Sequence, residues 1–161
     1  MEPIRPLTEA DLEAYALLRR RALLESPLAF AASPETDVVI QIGKAPDWML
    51  FGAFAPELAG AVGLIRMRHP KAAHKLHLWG MYVLPSHRRR GLAAALLAAA
   101  VQHARSMDGI AWIQLGVTDA AAEARRVYER AGFVSWGREP DALRWEGESV
   151  GEEHMALDLR S

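Results

Sequence analysis

"MYVLPSHRRRGLAAALLAAAV", Met81 to Val101, sets three textures end to end. An apolar run meets Pro85, three arginines and a glycine follow, and an alanine/leucine tract begins. Proline cannot donate to a sheet ladder, so Pro85 closes a strand. Alanine and leucine are the strongest helix formers, so a helix is expected from about Gly91 to Ser106. A helix N-terminus offers unpaired N–H groups and about half a positive charge. Gly91 lets a ligand approach the backbone closely, and Arg88, Arg89 and Arg90 add charge. Together these features suit a di-anionic phosphate group. A solvated basic turn is the plainer alternative. The sequence has no G-x-x-x-x-G-K-[ST], and no G-x-G-x-x-G follows a strand, which sets two nucleotide motifs aside.

The rest of the chain narrows the class. Its 161 residues fit one domain, 1–161, and 51% hydrophobic residues can build a core. A net charge of -1 gives no support for a nucleic-acid or anionic-membrane binder. With no cysteine there is no disulfide, no Cys-based zinc site and no cysteine nucleophile, and the cytoplasm is the expected compartment. "MEPIRPLTEA" lacks a basic-then-apolar signal pattern. The longest apolar run, "GLAAALLAAAV", falls short of the roughly 20 residues that span a bilayer.

Upstream, "PIRPL" is extended. A capping signature, Thr8 with Asp11, then opens a helix that ends at Pro27. Leu12, Tyr15, Ala16, Leu18, Ala22 and Leu23 fall at helical spacing, with Arg19, Arg20 and Arg21 expected on the solvent face or at a substrate mouth. Three short apolar runs, "WMLFGAFA", "LAGAVGLIRMR" and "KLHLWGMYV", are separated by turn-like "PE" and "HPKAAH" and read as an antiparallel meander. Downstream, "IAWIQLGV" reads as a buried strand, "DAAAEARRVYERAG" as a helix closed by Gly132, and "FVSWG" and "EEHMALDL" as final strands. The order implies an α+β fold, an α/β sandwich on a mixed, largely antiparallel sheet.

"RRRGLA", Arg88 to Ala93, resembles the R/Q-x-x-G-x-G/A motif of the GNAT superfamily, the acyl-CoA-dependent N-acyltransferases. The likeness extends through "LWGMYVLPSHRRRGLAAALL", through "IQLGVTDAAAEARRVYERAGF" and through "IRPLTEADLEAYALLRRRALLESPLAF". It implies a sheet flanked by helices and splayed between its fourth and fifth strands, with coenzyme A inserted in the gap. By that resemblance the backbone of Met81, Tyr82 and Val83 holds the pantetheine arm. The N–H groups of Arg89, Arg90, Gly91, Leu92, Ala93 and Ala94 wrap the pyrophosphate, and the arginine side chains, Arg88 included, supply supporting charge. The implied activity is transfer of acetyl from acetyl-CoA to a primary amine of a small molecule or protein, without a metal. No nucleic acid or membrane partner is expected, and homodimerisation is left open.

That chemistry needs a base, because alkyl amines resemble lysine and arrive mostly protonated near pH 7. It also needs a donor to the thioester carbonyl, which the resemblance assigns to a backbone N–H near Met81, and a proton for the departing thiolate. Tyr128, in "RVYERAGF", stands where the family places that acid. A packing role on the sheet is its alternative. For the base, His77 matches a position where histone-acetylating members carry glutamate, and strand alternation puts it on one face with Trp79, Met81 and Val83 unless a bulge intervenes. Glu57, Asp119 and a water chain are other routes. Two positions depart from the family: Ala121 replaces a cofactor-contacting asparagine, and Gly116 replaces a glutamate base of the ribosomal-protein-acetylating members.

Further features are weighed against plain readings. His69, His74 and His77 have irregular spacing and read as a solvated hairpin turn rather than zinc ligands. Of the five tryptophans most are expected in the core or on a sheet face, with Trp145 at an exposed lid or interface. The rival functions are a non-catalytic acyl-CoA-binding module and a basic-loop anion or nucleic-acid binder.

Overall fold

Short apolar runs with turn residues between them become a seven-stranded sheet, while the alanine/leucine tract becomes its longest helix. The computed structural model describes residues 4–35, 37 and 47–160. Its elements are β1 (Ile4–Pro6), α1 (Leu12–Glu25), β2 (Trp48–Phe54), β3 (Leu58–Arg66), β4 (Lys75–Val83), α2 (Leu92–Ser106), β5 (Trp112–Thr118), α3 (Ala122–Arg130), β6 (Val134–Trp145) and β7 (Glu148–Asp158). The strand order is β1-β2-β3-β4-β5-β7-β6. Every neighbouring pair is antiparallel except β4–β5, whose parallel pairing requires the crossover that α2 supplies.

Each face of the sheet has its own core. On one, Leu92, Leu96, Leu97, Ala100 and Ala104 of α2 meet Val62, Leu64, Leu76, Leu78, Ile113, Leu115 and Met155 of the strands. On the other, Tyr15, Leu18 and Ala22 of α1 pack on Leu50, Ala61 and Tyr82. α1 is entered as expected: the Thr8 N–H donates to Asp11 at 2.8 Å, and Arg5 grips the same carboxylate.

Several expectations need correction. Ala16 is exposed, beside the line of Tyr15, Leu18 and Ala22 that α1 buries. Arg19 does not lie on the solvent face. It pairs with Asp37 at 3.2 Å and its guanidinium stands over the rings of Phe30 and Trp79. Trp145 is exposed as expected, but Trp136 is more exposed still, and none of the five tryptophans is fully buried. The last two strands form one long hairpin reaching Trp145 and Glu148, well beyond "FVSWG". Residues 36 and 38–46, between α1 and β2, lie outside the described residues. Among the described residues no helix is long and apolar enough to cross a membrane.

Candidate active site

β4 and β5 pair at only three positions, Lys75 with Trp112, Leu76 with Ile113 and His77 with Gln114. Beyond them β4 continues to Val83 bonded to β3, and β5 continues to Thr118 bonded to β7. Among the described residues, the backbone edges that face each other across this opening therefore have no ladder partner. Such groups cost free energy unless something fills the gap.

A bulge shapes the β4 side. Ala61 pairs with Tyr82 and Gly63 with Trp79, so Val62 alone stands across from Gly80 and Met81. Gly80 has φ +66, a conformation that glycine adopts without steric cost. The extra residue reverses the alternation. His77 and Trp79 lie on the α1 face with Tyr82, whereas Met81 and Val83 pack into the α2 core. His77 therefore does not share a face with Met81 and Val83, as simple alternation had suggested.

At the end of β4 the chain turns into α2. Arg89 (φ 65) and Gly91 (φ 77) both take left-handed conformations, and Gly91 caps the helix without any side-chain hydrogen bond. Successive N–H groups in such a turn make a concave anion site. The first helical turn contains no acidic residue to neutralise it. Ala95 is the first residue to reach back, donating its N–H to the Gly91 carbonyl at 3.0 Å, so the N–H groups of Leu92, Ala93 and Ala94 have no helical acceptor. A Cβ at Gly91 would meet nothing within 4 Å, so the space above the turn is open. These features fit the pyrophosphate of an acyl-CoA. The side chain of Arg88 is committed elsewhere: it donates to the Val83 carbonyl at 2.9 Å and to Glu25 at 2.9 and 3.1 Å. Tyr82 donates its hydroxyl to the same Glu25.

Tyr128 of α3 is buried in the α2 core beside Phe133, 5.8 Å between rings, and its hydroxyl has no hydrogen-bond partner among the described residues. Burial pushes its pKa well above the ordinary 10. His77 is open to solvent on the other face, yet crowding by the sheet lowers its pKa below 6.5, with His154 as the second cause. It is mostly neutral near pH 7. Asp119 is held by Arg138 at 2.7 Å and accepts the Gly151 N–H at 3.1 Å. Arg138, then Gly151, hold its pKa down at about 2. The Thr118 hydroxyl donates to the Leu28 carbonyl at 2.7 Å. Glu57 is exposed at the β2–β3 turn, on the far side of β4 from the opening. Ala121 packs partly against the α2 core.

Four groups escaped the sequence reading. Glu25 ties α1 to the turn. Glu139, Glu152 and His154 gather on the α1 side of β6 and β7, their ligand atoms all within 4.8 Å of one another. The alternation of "EEHMALDL" puts Glu152 and His154 on one face, but only the register across β5 and β6 brings them together.

The comparisons agree with this geometry. The family model for the acetyltransferase (GNAT) family matches residues 17–133. A search of curated protein sequences returns no match. Among solved structures, a GNAT-family acetyltransferase from Streptococcus pneumoniae superposes with TM-score 0.86 at 18% identity, over 98% of this chain and 99% of that one. The yncA protein from Salmonella typhimurium, solved with its cofactor acetyl-CoA, gives 0.82 at 19% identity, over 99% and 94%. Spermidine N-acetyltransferase from Vibrio cholerae, in complex with CoA and spermine, gives 0.79 at 18% identity, over 99% and 96%. With a splayed sheet, a left-handed glycine turn and a family match across most of its length, this chain belongs to the GNAT acetyltransferase family.

Proposed function

We propose that the chain is a single-domain N-acetyltransferase that moves acetyl from acetyl-CoA to a primary amine by direct attack in a ternary complex. The observation that carries this reading is the β4–β5 ladder, which stops after three pairs in front of the open turn at Gly91. With no cysteine in the chain, no thiol is present to carry the acyl group between half-reactions, and a reducing cytoplasm is the natural setting.

When bound, acetyl-CoA supplies an activated acyl group and a thiolate leaving group. The turn from Arg89 to Ala94 holds the pyrophosphate through main-chain N–H groups, and Met81, Tyr82 and Val83 hold the pantetheine arm along the unpaired β4 edge. A backbone N–H near Met81 donates to the reacting carbonyl oxygen, where charge develops. Tyr128 keeps its proton through the physiological range, as burial dictates, and delivers it to sulfur as the C–S bond breaks. The α2 face is filled by core, so the amine enters from the α1 face, where His77 and the half-buried ends of Trp79 and Arg19 line its approach.

The test is thiol release from acetyl-CoA with a panel of amines: spermidine, a lysine peptide and free peptide N-termini. Release above buffer with at least one amine is expected. CoA binding with no release from any amine makes the protein a non-catalytic acyl-CoA module. Preference for inorganic phosphate or DNA over acetyl-CoA in calorimetry removes the reading altogether.

A further inference from the structure

We infer that Glu152 is the base that deprotonates the incoming ammonium, a role that rests on the acetyltransferase reading above. Glu152 sits on β7 opposite Thr118, but its side chain leans across β5. A Cβ built at Gly116 would collide with the Glu152 carboxylate, so that carboxylate fills the space a side chain at position 116 would take. Gly116 is exposed on the α1 side of β5, so the space is reached from solvent.

Register fixes where that space lies. The last β4–β5 pair is His77 with Gln114. Continuing the parallel register by two residues sets Gly116 level with Trp79, immediately before the bulge at Gly80 and Met81. Strand rise is about 3.3 Å per residue, so Glu152 acts roughly 7 Å further into the opening than His77. His77 belongs to the closed end, where the ladder is still intact. The opposite face of the sheet is the packed α2 core, which includes Tyr128. Base and acid thus stand on opposite sides of the sheet, with the opening between them.

The surroundings suit the role. Among the described residues Glu152 has no ion pair and no hydrogen bond, unlike Glu153 beside it, which is engaged by Arg138 and Ser135. His154 and Glu139 stand within 4.8 Å of it and are paired with each other at 3.4 Å. They give an exit for a proton toward solvent and a negative field for a cationic amine. The step balances. Glu152 takes one proton from R–NH3+, and the freed nitrogen lone pair forms the C–N bond as the C–S bond breaks. Tyr128 protonates the thiolate and is reprotonated by the second proton lost from nitrogen, and Glu152 returns its own proton to water. The net products are the amide, the free thiol and one proton.

The experiment compares wild type, Glu152→Gln, Gly116→Ala and His77→Ala on the amine panel. Glu152→Gln should lower kcat on an alkyl amine by about 100-fold or more, while calorimetric affinity for acetyl-CoA stays within about twofold. With an aromatic amine, which is already neutral at the assay pH, its loss should shrink to about threefold or less. Gly116→Ala displaces the carboxylate without removing it and should cost roughly tenfold in kcat. It leaves a foldable protein, because the atoms it meets are the end of a flexible side chain. If Glu152→Gln keeps wild-type kcat on alkyl amines, loses equally on both amine classes, or is outdone by His77→Ala, the assignment to Glu152 is wrong and the enzyme reading survives. If wild type itself releases no thiol with any amine, both fall.

Discussion

The two flanks of the β4–β5 opening are built from different material. The flank that faces α2 presents main chain: the unpaired edge of β4, the left-handed turn at Arg89 and Gly91, and the first N–H groups of α2. The flank that faces α1 presents side chains: His77 from β4, Glu152 and His154 from β7, Glu139 from β6 and Arg19 from α1. A ligand held by main chain depends on backbone shape, and almost any side chain that keeps the shape will do. A ligand held by side chains depends on their identity. The first flank suits a constant acyl donor, and the second suits a chosen acceptor.

The hardest blow to the first flank is one that fills the turn. Gly91→Glu puts a carboxylate where the pyrophosphate would lie and an L side chain at φ 77. Calorimetry should find CoA affinity down by at least about 100-fold, equivalent to roughly 2.7 kcal/mol. Because a Cβ there meets nothing, the variant should still fold with a normal circular dichroism spectrum. Unchanged affinity in a folded variant removes the turn as the cofactor site.

Tyr128 is the one side chain of the α2 flank to which the proposed mechanism gives a role. Tyr128→Phe should lower kcat by about 10- to 100-fold and leave acetyl-CoA affinity nearly unchanged. Its hydroxyl has no partner among the described residues, so stability should change by less than about 1 kcal/mol. With the phenol raised above 10, no alkaline limb below about pH 10 should be traceable to it. Loss of affinity with intact kcat would make it a packing residue.

Smaller effects separate charge from shape. Arg89→Ala or Arg90→Ala should weaken CoA binding only by roughly three- to tenfold, and the gap should close as salt rises, since exposed charges are screened over about 10 Å at 0.1 M. Arg88→Ala should lower affinity least of the three, because its side chain already serves Glu25 and Val83. A loss from either neighbour that matches Gly91→Glu would give the arginines the leading role.

The same contrast explains what could be read in advance. A strand, a turn and a helix next to one another in sequence stay next to one another in space, so Met81 to Val101 was legible as a unit. The α1 flank joins residues far apart in the chain, and only the register of β4, β5 and β7 brings His77 to the same opening as Glu152 and His154. Gly116 looked like a missing base, and the carboxylate beside it came from another strand. The bulge left a legible trace, a glycine inside the strand "KLHLWGMYV", and its effect was to undo the alternation used to place His77. The long β6–β7 hairpin left less, because β6 buries almost nothing along its length. Its ladder to β7 and cross-strand polar contacts such as Arg138–Glu153 and Ser149–Asp141 hold it instead of apolar burial.

The smallest expected effect tests how the α1 flank is held in place. Asp119 accepts the Gly151 N–H and pairs with Arg138, which fixes β7 one residue before Glu152. Its pKa of about 2 lies below the ordinary 3.8, chiefly through the hydrogen bond from Arg138. A carboxylate depressed on folding stabilises the native state above its unfolded value and loses that contribution as pH falls through the folded one. Asp119→Asn should therefore melt slightly below wild type at pH 7, with the gap narrowing below pH 4 and closing near pH 2. Both groups are exposed, so the gap should also shrink with salt. Since Asp119 anchors the strand without touching the opening, kcat should fall by no more than about threefold, with acetyl-CoA affinity intact. A melting gap that stays constant down to pH 2 would mean the carboxylate charge contributes nothing to holding β7. A kcat loss as deep as that of Glu152→Gln would move the base from Glu152 to Asp119.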